Sequence, residues 1–445
     1  MLRNSSIGDA VADARRRFSD ARPQTKMLHR QASEHMPGGN TRTVLYHGPF
    51  PIRVEKGDGA YIQDVDGHRY LNLLGEYTAG VFGHSHPAIR QAILKAIEGG
   101  INLGAHNIKE ARLAQLVTQR FPAIERVRFT NSGTEANLMA VSMARHCTSR
   151  EKVMVMQGGY HGALLYFGAD QSALNAPFPY VKGWFNDVQA TRQLIWDHGK
   201  DIACVLVEPM MGSSGCIPGQ PAFLKMLRDE TAQAGILLIF DEVMTSRFGE
   251  AGAHGMLGLR PDLVTLGKWV GGGMSFGAFG GRADLMSIFD PSVPSALKHA
   301  GTFNNNVLSM GAGIAALTDA FTPDIAVKLH ARGERLRSDL NTLFEKMSVG
   351  LCASGVGSLL NIHPTPGPVT SIESLQQVDD QLRELLFLEL LEKGYYIARR
   401  GFIALTVVTT DSDLDGFLAA ITEIIDVNRG LMPRVSDRSV SDRGS

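Results

Sequence analysis

Residues 236–244 read Ile-Leu-Leu-Ile-Phe-Asp-Glu-Val-Met, an apolar run that ends directly in two carboxylates. An uninterrupted apolar run of this length predicts a strand over 236–241 that is buried on both faces. Similar runs, separated by helical patterns and ending in polar or glycine-rich loops, lie at 127–130, 153–156, 203–208, 263–266 and 277–281. Together they predict an α/β fold with a mostly parallel sheet covered by helices. Ligands of such sheets bind beyond the carboxyl ends of the strands.

The composition argues against several other classes of protein. The chain has 445 residues, and 44 Lys and Arg against 45 Asp and Glu give a formal charge of −1, which favours neither nucleic acid nor an anionic membrane as a partner. No apolar run approaches the ~20 residues that span a bilayer, and the first residues lack the apolar segment of an export signal. Four separated cysteines without a C-x-x-C pair suit a reducing compartment. We therefore expect a cytoplasmic protein without a structural metal.

The pattern outside the sheet predicts a second, smaller α+β domain to which both ends of the chain contribute. Residues 8–35 are interpreted as one charged helix, and residues 396–408 as a strand pair. The predicted boundaries are 1–75 for the N-terminal part of the small domain, 76–310 for the large domain, 311–432 for the C-terminal part of the small domain and 433–445 for a disordered tail.

One strand end carries a pattern that is typical of an anion site. The strand near 126–130 runs into Asn131-Ser-Gly-Thr-Glu-Ala-Asn137, in which Ser132 and Glu135 have the spacing of a capping box and predict the start of a helix. The free N–H groups, the two hydroxyls and the positive dipole end of such a helix suit a phosphate. The alternative interpretation is a helix cap without a ligand.

Two further strand ends carry an aromatic ring and a carboxylate. In Gly158-Gly-Tyr-His-Gly162 the glycines allow a tight loop, and Tyr160 could lie on a flat heterocycle, although a simply packed tyrosine is the alternative. Asp241 emerges from an apolar strand and needs a cationic partner, because burial of a lone carboxylate is costly. A protonated pyridine nitrogen would be such a partner. The alternatives are a salt bridge to an arginine and a metal ligand.

A single lysine follows the next apolar strand. Lys268 lies in Thr265-Leu-Gly-Lys268, and desolvation at this place would lower the pKa of its ammonium group and make it a nucleophile toward aldehydes. The alternative is a lysine whose ammonium reaches solvent. The glycines around it match neither the phosphate-binding loop of nucleotide hydrolases nor the dinucleotide fingerprint, which disfavours a nucleotide-binding module. Anion site, ring, carboxylate and amine together are the set that pyridoxal phosphate requires.

Longer motifs resemble a known family. The sequence looks like a fold-type I pyridoxal-phosphate enzyme of the class III aminotransferase group. The shared motifs are Gly83-His-Ser-His-Pro87, Asn131-Ser-Gly-Thr-Glu-Ala-Asn137, Gly159-Tyr-His-Gly162, Val207-Glu-Pro209, Asp241-Glu-Val-Met-Thr245, Thr265-Leu-Gly-Lys268 and Gly301-Thr-Phe-Asn304.

The resemblance implies roles for individual residues. Lys268 would bind the cofactor covalently and move the substrate proton, and Asp241 would pair with the pyridinium nitrogen. The implied cofactor-binding set is completed by Ser132, Gly133 and Thr134 at the phosphate, Val243 below and Tyr160 above the ring, Glu208, and Thr302 from the neighbouring subunit. This last role implies a homodimer. One departure is Met244, because many members of the group have glutamine three residues after the aspartate.

Two subgroups compete for the reaction. Met244 resembles the glutamate-1-semialdehyde aminomutases, whereas Arg42 and the pair Arg399-Arg400 suit an enzyme that binds two different acids. Segments around these arginines resemble the β-phenylalanine (aromatic β-amino acid) aminotransferases. That resemblance implies that Arg42 holds the β-amino acid, that Arg400 holds 2-oxoglutarate or pyruvate in a ping-pong reaction, and that Tyr77 and Met244 are apolar contacts. An aminomutase and a non-catalytic cofactor-binding protein remain the alternatives.

Overall fold

The computed structural model describes residues 6–101, 103–168, 172–376 and 378–435, and helices and strands alternate over most of this length. The helices in this part of the chain are Ile7–Asp20 (α1), Pro23–His35 (α2), Pro87–Glu98 (α3), Ile108–Arg120 (α4), Gly133–Thr148 (α5), Val188–His198 (α6), Pro221–Ala234 (α7), Gly252–Leu257 (α8), Ala283–Met286 (α9), Val307–Ala315 (α10), Pro323–Lys346 (α11), Asp380–Glu392 (α12) and Asp411–Val427 (α13). A π-helical turn, Ala316–Ala320, extends α10.

Within the described residues the strands form one large sheet and three small ones. They are Val54–Asp58 (β1), Tyr61–Asp64 (β2), Arg69–Asn72 (β3), Arg126–Thr130 (β4), Lys152–Met156 (β5), Tyr180–Gly183 (β6), Ile202–Val207 (β7), Met210–Met211 (β8), Ile217–Pro218 (β9), Leu237–Asp241 (β10), Leu263–Gly267 (β11), Gly277–Gly281 (β12), Cys352–Val356 (β13), Leu359–His363 (β14), Tyr395–Tyr396 (β15) and Phe402–Ala404 (β16).

The large sheet has seven strands in the order β4-β12-β11-β10-β7-β5-β6. Only β12 runs antiparallel to its neighbours, so the predicted mostly parallel sheet is confirmed. Successive residues of β10 alternate between two apolar clusters. Leu238 and Phe240 pack with α7, whereas Leu237 and Ile239 pack with α5. Helices therefore cover both faces of the sheet, which explains why its strands are apolar throughout.

Segments from the N-terminal and the C-terminal parts of the chain meet in a second sheet. It has the order β1-β2-β3-β15, and β15 pairs in parallel with β3 through Tyr395 and Leu71. Another sheet, β13-β14-β16, is antiparallel. These pairings agree with a small α+β unit built from both termini, while the division of the chain at residues 75, 310 and 432 stays a prediction. In the described part of the chain, no helix is both long and apolar enough to cross a membrane.

Three local predictions need correction or qualification. The single helix expected over 8–35 is two helices, because Pro23 lacks an N–H and starts a new helix after Arg22. The strand pair expected over 396–408 is wrong, since β15 and β16 belong to different sheets. In the expected tail, Arg434 forms a β-bridge with Val349, while 436–445 lie outside the described residues.

Candidate active site

Four strands of the large sheet end at one edge, and each end contributes a polar residue. Asp241 is the last residue of β10, and Lys268 directly follows β11. Glu208 follows β7, and Ser132 lies two residues beyond β4. All four strands run in the same direction, so these side chains meet at the carboxyl edge, as predicted.

Asp241 is a buried carboxylate that accepts three close hydrogen bonds. The whole residue is only 5% exposed. Oδ2 accepts from Asn137 Nδ2 at 2.9 Å and from His161 Nδ1 at 2.8 Å, and Oδ1 accepts from the Val243 N–H at 3.0 Å. Charge-assisted bonds of this kind offset the desolvation of a buried carboxylate. Among the described residues no arginine binds this carboxylate, so the site differs from the salt bridge considered as an alternative.

A second layer orients the amide that faces Asp241. Thr265 Oγ1 donates to Asn137 Oδ1 at 2.6 Å, which turns the amide nitrogen of Asn137 toward the carboxylate and toward the carbonyl oxygen of His161. Thr265 stands opposite Asp241 in the pairing of β10 with β11. The strand register thus places a hydroxyl donor where it fixes the direction of the whole chain of hydrogen bonds.

Lys268 is an amine with a lowered proton affinity. Burial lowers the pKa of its ammonium group to about 8, against the opposing effect of the negative charges of Asp241 and Glu208. The positive charges of Arg400 and Arg42 lower the same pKa further. The backbone of Lys268 is in the left-handed region with φ +54°. Such a conformation is costly for a residue with a side chain and is concentrated at functional sites.

The segment that the sequence predicts to bind an anion lies at the start of α5, and this binding stays a prediction. Ser132 caps this helix and accepts from the Glu135 N–H at 3.2 Å. The carboxylate of Glu135 accepts from the Asn131 N–H at 2.9 Å, so the reciprocal bond is shifted by one residue from a regular capping box. Within the described chain, the N–H groups of Gly133 and Thr134 have no hydrogen-bond partner. They are free to bind an anion at the positive end of the helix.

Close packing shapes this anion site. A Cβ on Gly133 would lie 2.8 Å from Val243 Cγ2, and one on Gly267 would lie 3.2 Å from Val243 Cγ1, so the valine sits against both glycines. The hydroxyl of Thr134 accepts from the Ala163 N–H at 3.3 Å. A Cβ on Gly162 would overlap that hydroxyl and lie 2.7 Å from Thr134 Cα.

Substitution of Gly162 by alanine is expected to weaken anion binding at this helix end. The added Cβ overlaps Thr134 and the residue has φ +115°, so the substitution should cost about 1–3 kcal/mol, or roughly 5- to 150-fold in affinity for pyridoxal phosphate. Titration of the apoprotein by absorbance measures this change. Gly67→Ala is the matched control, because Gly67 has φ +93° and a Cβ added there would meet no atom within 4 Å. If both variants lost the same affinity for pyridoxal phosphate, backbone strain alone would explain the effect.

Glu208 joins two loops of the site. Its side chain accepts from the N–H of Tyr160 and from the N–H of Gly212, each at 3.0 Å. Burial raises the pKa of the Glu208 carboxyl to about 7. Tyr160 itself is 40% exposed and meets Tyr166 edge to face. Glu208 therefore fixes the backbone from which the Tyr160 ring projects.

The two arginines predicted from the sequence meet at one tyrosine ring. The guanidinium carbons of Arg42 and Arg400 lie 5.9 Å and 5.0 Å from the ring centroid of Tyr77. Arg399, in contrast, binds both carboxylate oxygens of Asp380 and one of Glu384. Of the neighbouring pair, Arg400 is thus the residue that faces the site, and Arg399 is held in ion pairs outside it.

The remaining predicted residues lie at the edges of this arrangement. Met244 packs against Gly212, since a Cβ added to Gly212 would lie 2.8 Å from Met244 Cε. Thr302 is exposed on the surface of the chain. Two residues further on, Asn304 Oδ1 accepts from Asn131 Nδ2 at 2.9 Å, next to the anion site of the same chain. The contact of Thr302 with a neighbouring subunit stays a prediction.

Sequence reasoning did not assign roles to Asn137, His161 and Thr265. Asn137 lies one helical turn after Gly133, and Thr265 is a polar residue inside an otherwise apolar strand. The positions of Asn137 and Thr265 are therefore sequence signals from which a polar contact near Asp241 can be predicted. The partner of His161 could not be predicted, because the contact joins a loop to a strand 80 residues away.

The polar groups at this edge match the groups of one kind of ligand. The free helix N-terminus fits a phosphate, the buried carboxylate of Asp241 fits a protonated ring nitrogen, and the Lys268 amine fits an aldehyde. The class that this fold and site define is that of the lysine-dependent pyridoxal-phosphate enzymes. Within it, the sequence profile of the family Aminotransferase class-III matches residues 45–425. The chain belongs to the class-III aminotransferases, and pyridoxal 5'-phosphate is its cofactor.

Individual relatives agree with this assignment. The chain is 52% identical over 435 residues to a β-phenylalanine transaminase of Variovorax paradoxus, covering 98% of this chain and 100% of the relative. The solved structure of a β-phenylalanine aminotransferase from Variovorax paradoxus matches with a TM-score of 0.95 over 96% of this chain and 100% of that one, at 52% identity. An ω-transaminase from Sphaerobacter thermophilus matches with a TM-score of 0.86 at 33% identity, covering 91% and 98% of the two chains. The family predicted from the motifs is confirmed.

Proposed function

We propose that this aminotransferase moves the amino group of an aromatic β-amino acid to a 2-oxo acid, such as 2-oxoglutarate or pyruvate, in a ping-pong reaction. The observation that carries the proposal is the pair of arginines, Arg42 and Arg400, that flank Tyr77 near the Lys268 amine. The 52% identity to a β-phenylalanine transaminase over nearly the whole chain supports the choice of donor.

Two arginines answer a geometric requirement of this reaction. In a β-amino acid the carboxylate lies one carbon farther from the amine-bearing carbon than the carboxylate of a 2-oxo acid lies from its carbonyl carbon. Arginine grips carboxylates through paired N–H donors, so two differently placed guanidinium groups would separate the two acids. Arg42 would bind the donor. Arg400, whose buried Nε has no partner in the described chain, would bind the acceptor.

Other residues would hold and use the cofactor. Bound pyridoxal phosphate supplies an aldehyde for the substrate amine and an electron-withdrawing ring. Lys268 would hold the cofactor covalently and then carry the proton to and from the substrate carbon, because its lowered pKa lets the amine act as a base. Asp241 would keep the ring nitrogen protonated. The helix end at residues 132–134 would bind the phosphate, Val243 and Tyr160 would contain the ring, and Glu208 would hold the loop of Tyr160.

The assembly and place of the enzyme are further parts of the proposal. Thr302 is exposed, and its segment contacts the anion site through Asn304 and Asn131. The resemblance to the family supports a homodimer in which the exposed Thr302 of one copy lies against the phosphate bound by the other. The composition and the four separated cysteines support a cytoplasmic location.

Replacement of Arg42 and of Arg400 by alanine tests the proposal. Loss of a charged hydrogen-bond donor should raise KM about 10- to 100-fold. Arg42→Ala should do so for the donor, β-phenylalanine, and change KM for the acceptor, 2-oxoglutarate, less than about threefold, and Arg400→Ala should do the reverse. Steady-state kinetics with both substrates varied measures the split. Equal losses for both acids in each variant would contradict the two roles.

The same assay separates the proposal from an aminomutase. A transaminase consumes one molecule of the 2-oxo acid for each β-amino acid that reacts, whereas a mutase moves the amino group within one substrate. Arg399→Ala is the matched control, because Arg399 is held by Asp380 and Glu384. It should lower thermal stability, because Glu384 is buried and would lose one of its cationic partners, and it should leave both KM values within about twofold.

A further inference from the structure

Tyr77 is attached to both of the chain segments that carry the arginines. On one side its hydroxyl donates to the carbonyl oxygen of Val44 at 3.2 Å, two residues beyond Arg42. On the other side its ring stacks on Phe402 at 5.5 Å and 23°, two residues beyond Arg400. The ring also contacts both guanidinium groups, so each arginine segment is held at two points by one side chain.

The backbone that delivers this ring is unusual. Gly75, Glu76, Tyr77 and Thr78 have φ of +53°, +51°, +50° and +81°, so three successive residues with side chains are left-handed. Left-handed runs of ordinary residues are strained and persist only where the surroundings enforce them. Here Gly75 packs against β16, since a Cβ on it would lie 2.7 Å from the carbonyl oxygen of Ala404. The strained turn and the strand that follows Arg400 are therefore fixed to each other.

Electrostatics give the ring a further effect on the arginines. Two guanidinium groups close together repel each other, and the negative face of an aromatic ring stabilises cations near it. Tyr77 is 9% exposed and Arg400 is half-buried, so the attraction between them is only partly screened by solvent, whereas Arg42 is exposed and its attraction to the ring is weaker. Burial raises the pKa of the Tyr77 hydroxyl, which therefore stays protonated and remains a donor to Val44.

We infer that Tyr77 is a positioning residue that sets the separation of Arg42 and Arg400, and through them the distinction between the donor and the acceptor carboxylate. The inference rests on the function proposed for the two arginines. The sequence predicted Tyr77 as an apolar contact of the substrate. The inferred role is different, because Tyr77 acts on the substrates through two other side chains.

Two substitutions separate the contacts. Tyr77→Leu removes ring and hydroxyl and should raise KM for both β-phenylalanine and the 2-oxo acid acceptor by about 3- to 30-fold, with kcat changed less than about threefold. Tyr77→Phe keeps the ring and removes the hydroxyl, which donates to Val44 and accepts from Arg400, so KM for both acids should rise by about two- to fivefold with kcat unchanged. If the leucine variant fails to fold, this rise in both KM values in the phenylalanine variant tests the inference.

Double-mutant cycles distinguish positioning from direct contact. If Tyr77 acts through the arginines, Tyr77→Leu should change the donor KM less than about twofold in the Arg42→Ala background, and the acceptor KM equally little in the Arg400→Ala background. The inference would be overturned if Tyr77→Leu raised KM by the full factor in both backgrounds, or if the leucine variant had unchanged KM values. If neither arginine substitution alone raises KM for either acid, the proposed function itself fails.

Discussion

We expect Lys268→Ala to abolish turnover and to lower kcat by about 10⁴-fold or more. The variant loses both the covalent anchor and the group that moves the proton. The remaining donors at the start of α5 and around Asp241 are untouched, so the variant should still bind pyridoxal phosphate without a covalent bond. Kinetics of β-phenylalanine with 2-oxoglutarate measures the loss, and the absorbance spectrum of the loaded variant measures cofactor binding.

Chemical trapping locates the amine directly. Borohydride reduction of the wild-type enzyme, followed by peptide mapping, should find the cofactor on the peptide that contains Lys268, and none on the variant. Lys225→Ala is the matched control, because Lys225 is an exposed lysine paired with Asp229 on the outside of α7. Turnover that survives in Lys268→Ala, or an adduct at another lysine, would rule out the assigned role.

The parts of the site predicted from the sequence are those that follow from single strands. Asp241 and Lys268 each end an apolar run, and because parallel strands end at one edge, their proximity follows from the fold class. The start of α5 could be read from the spacing of Ser132 and Glu135, although Glu135 then reaches Asn131. These features depend on residues that are close in the chain.

Features that join distant elements could not be obtained in this way. The bond of His161 to Asp241 and the meeting of Arg42 with Arg400 at Tyr77 depend on how loops and sheets pack, which no local pattern encodes. The sequence also left open which member of the Arg399-Arg400 pair faces the site. The two residues are adjacent and chemically identical, and only the fold brings carboxylates such as Glu384 next to Arg399.

Asp241→Asn should lower kcat by about 10²- to 10³-fold, the range for loss of one preorganised electrostatic contact. The neutral amide keeps the size of the side chain but cannot stabilise a protonated ring nitrogen. Its NH₂ group must take the place either of Oδ2, which accepts from Asn137 and His161, or of Oδ1, which accepts from the Val243 N–H. In either orientation at least one donor loses its partner, so thermal stability should fall as well. Steady-state kinetics and thermal unfolding of the same preparations give both values.

The neighbouring carboxylate separates catalysis from stability. Glu242 is also fully buried and also accepts three hydrogen bonds, from the N–H groups of Ala253 and His254 and from His254 Nδ1. It follows Asp241 in the chain but binds the start of α8 instead of facing Lys268. Glu242→Gln should therefore lower thermal stability by a similar amount and leave kcat of the folded enzyme within about threefold. If both variants lose activity equally, the effect of position 241 is one of folding, and its pairing with the ring nitrogen is refuted.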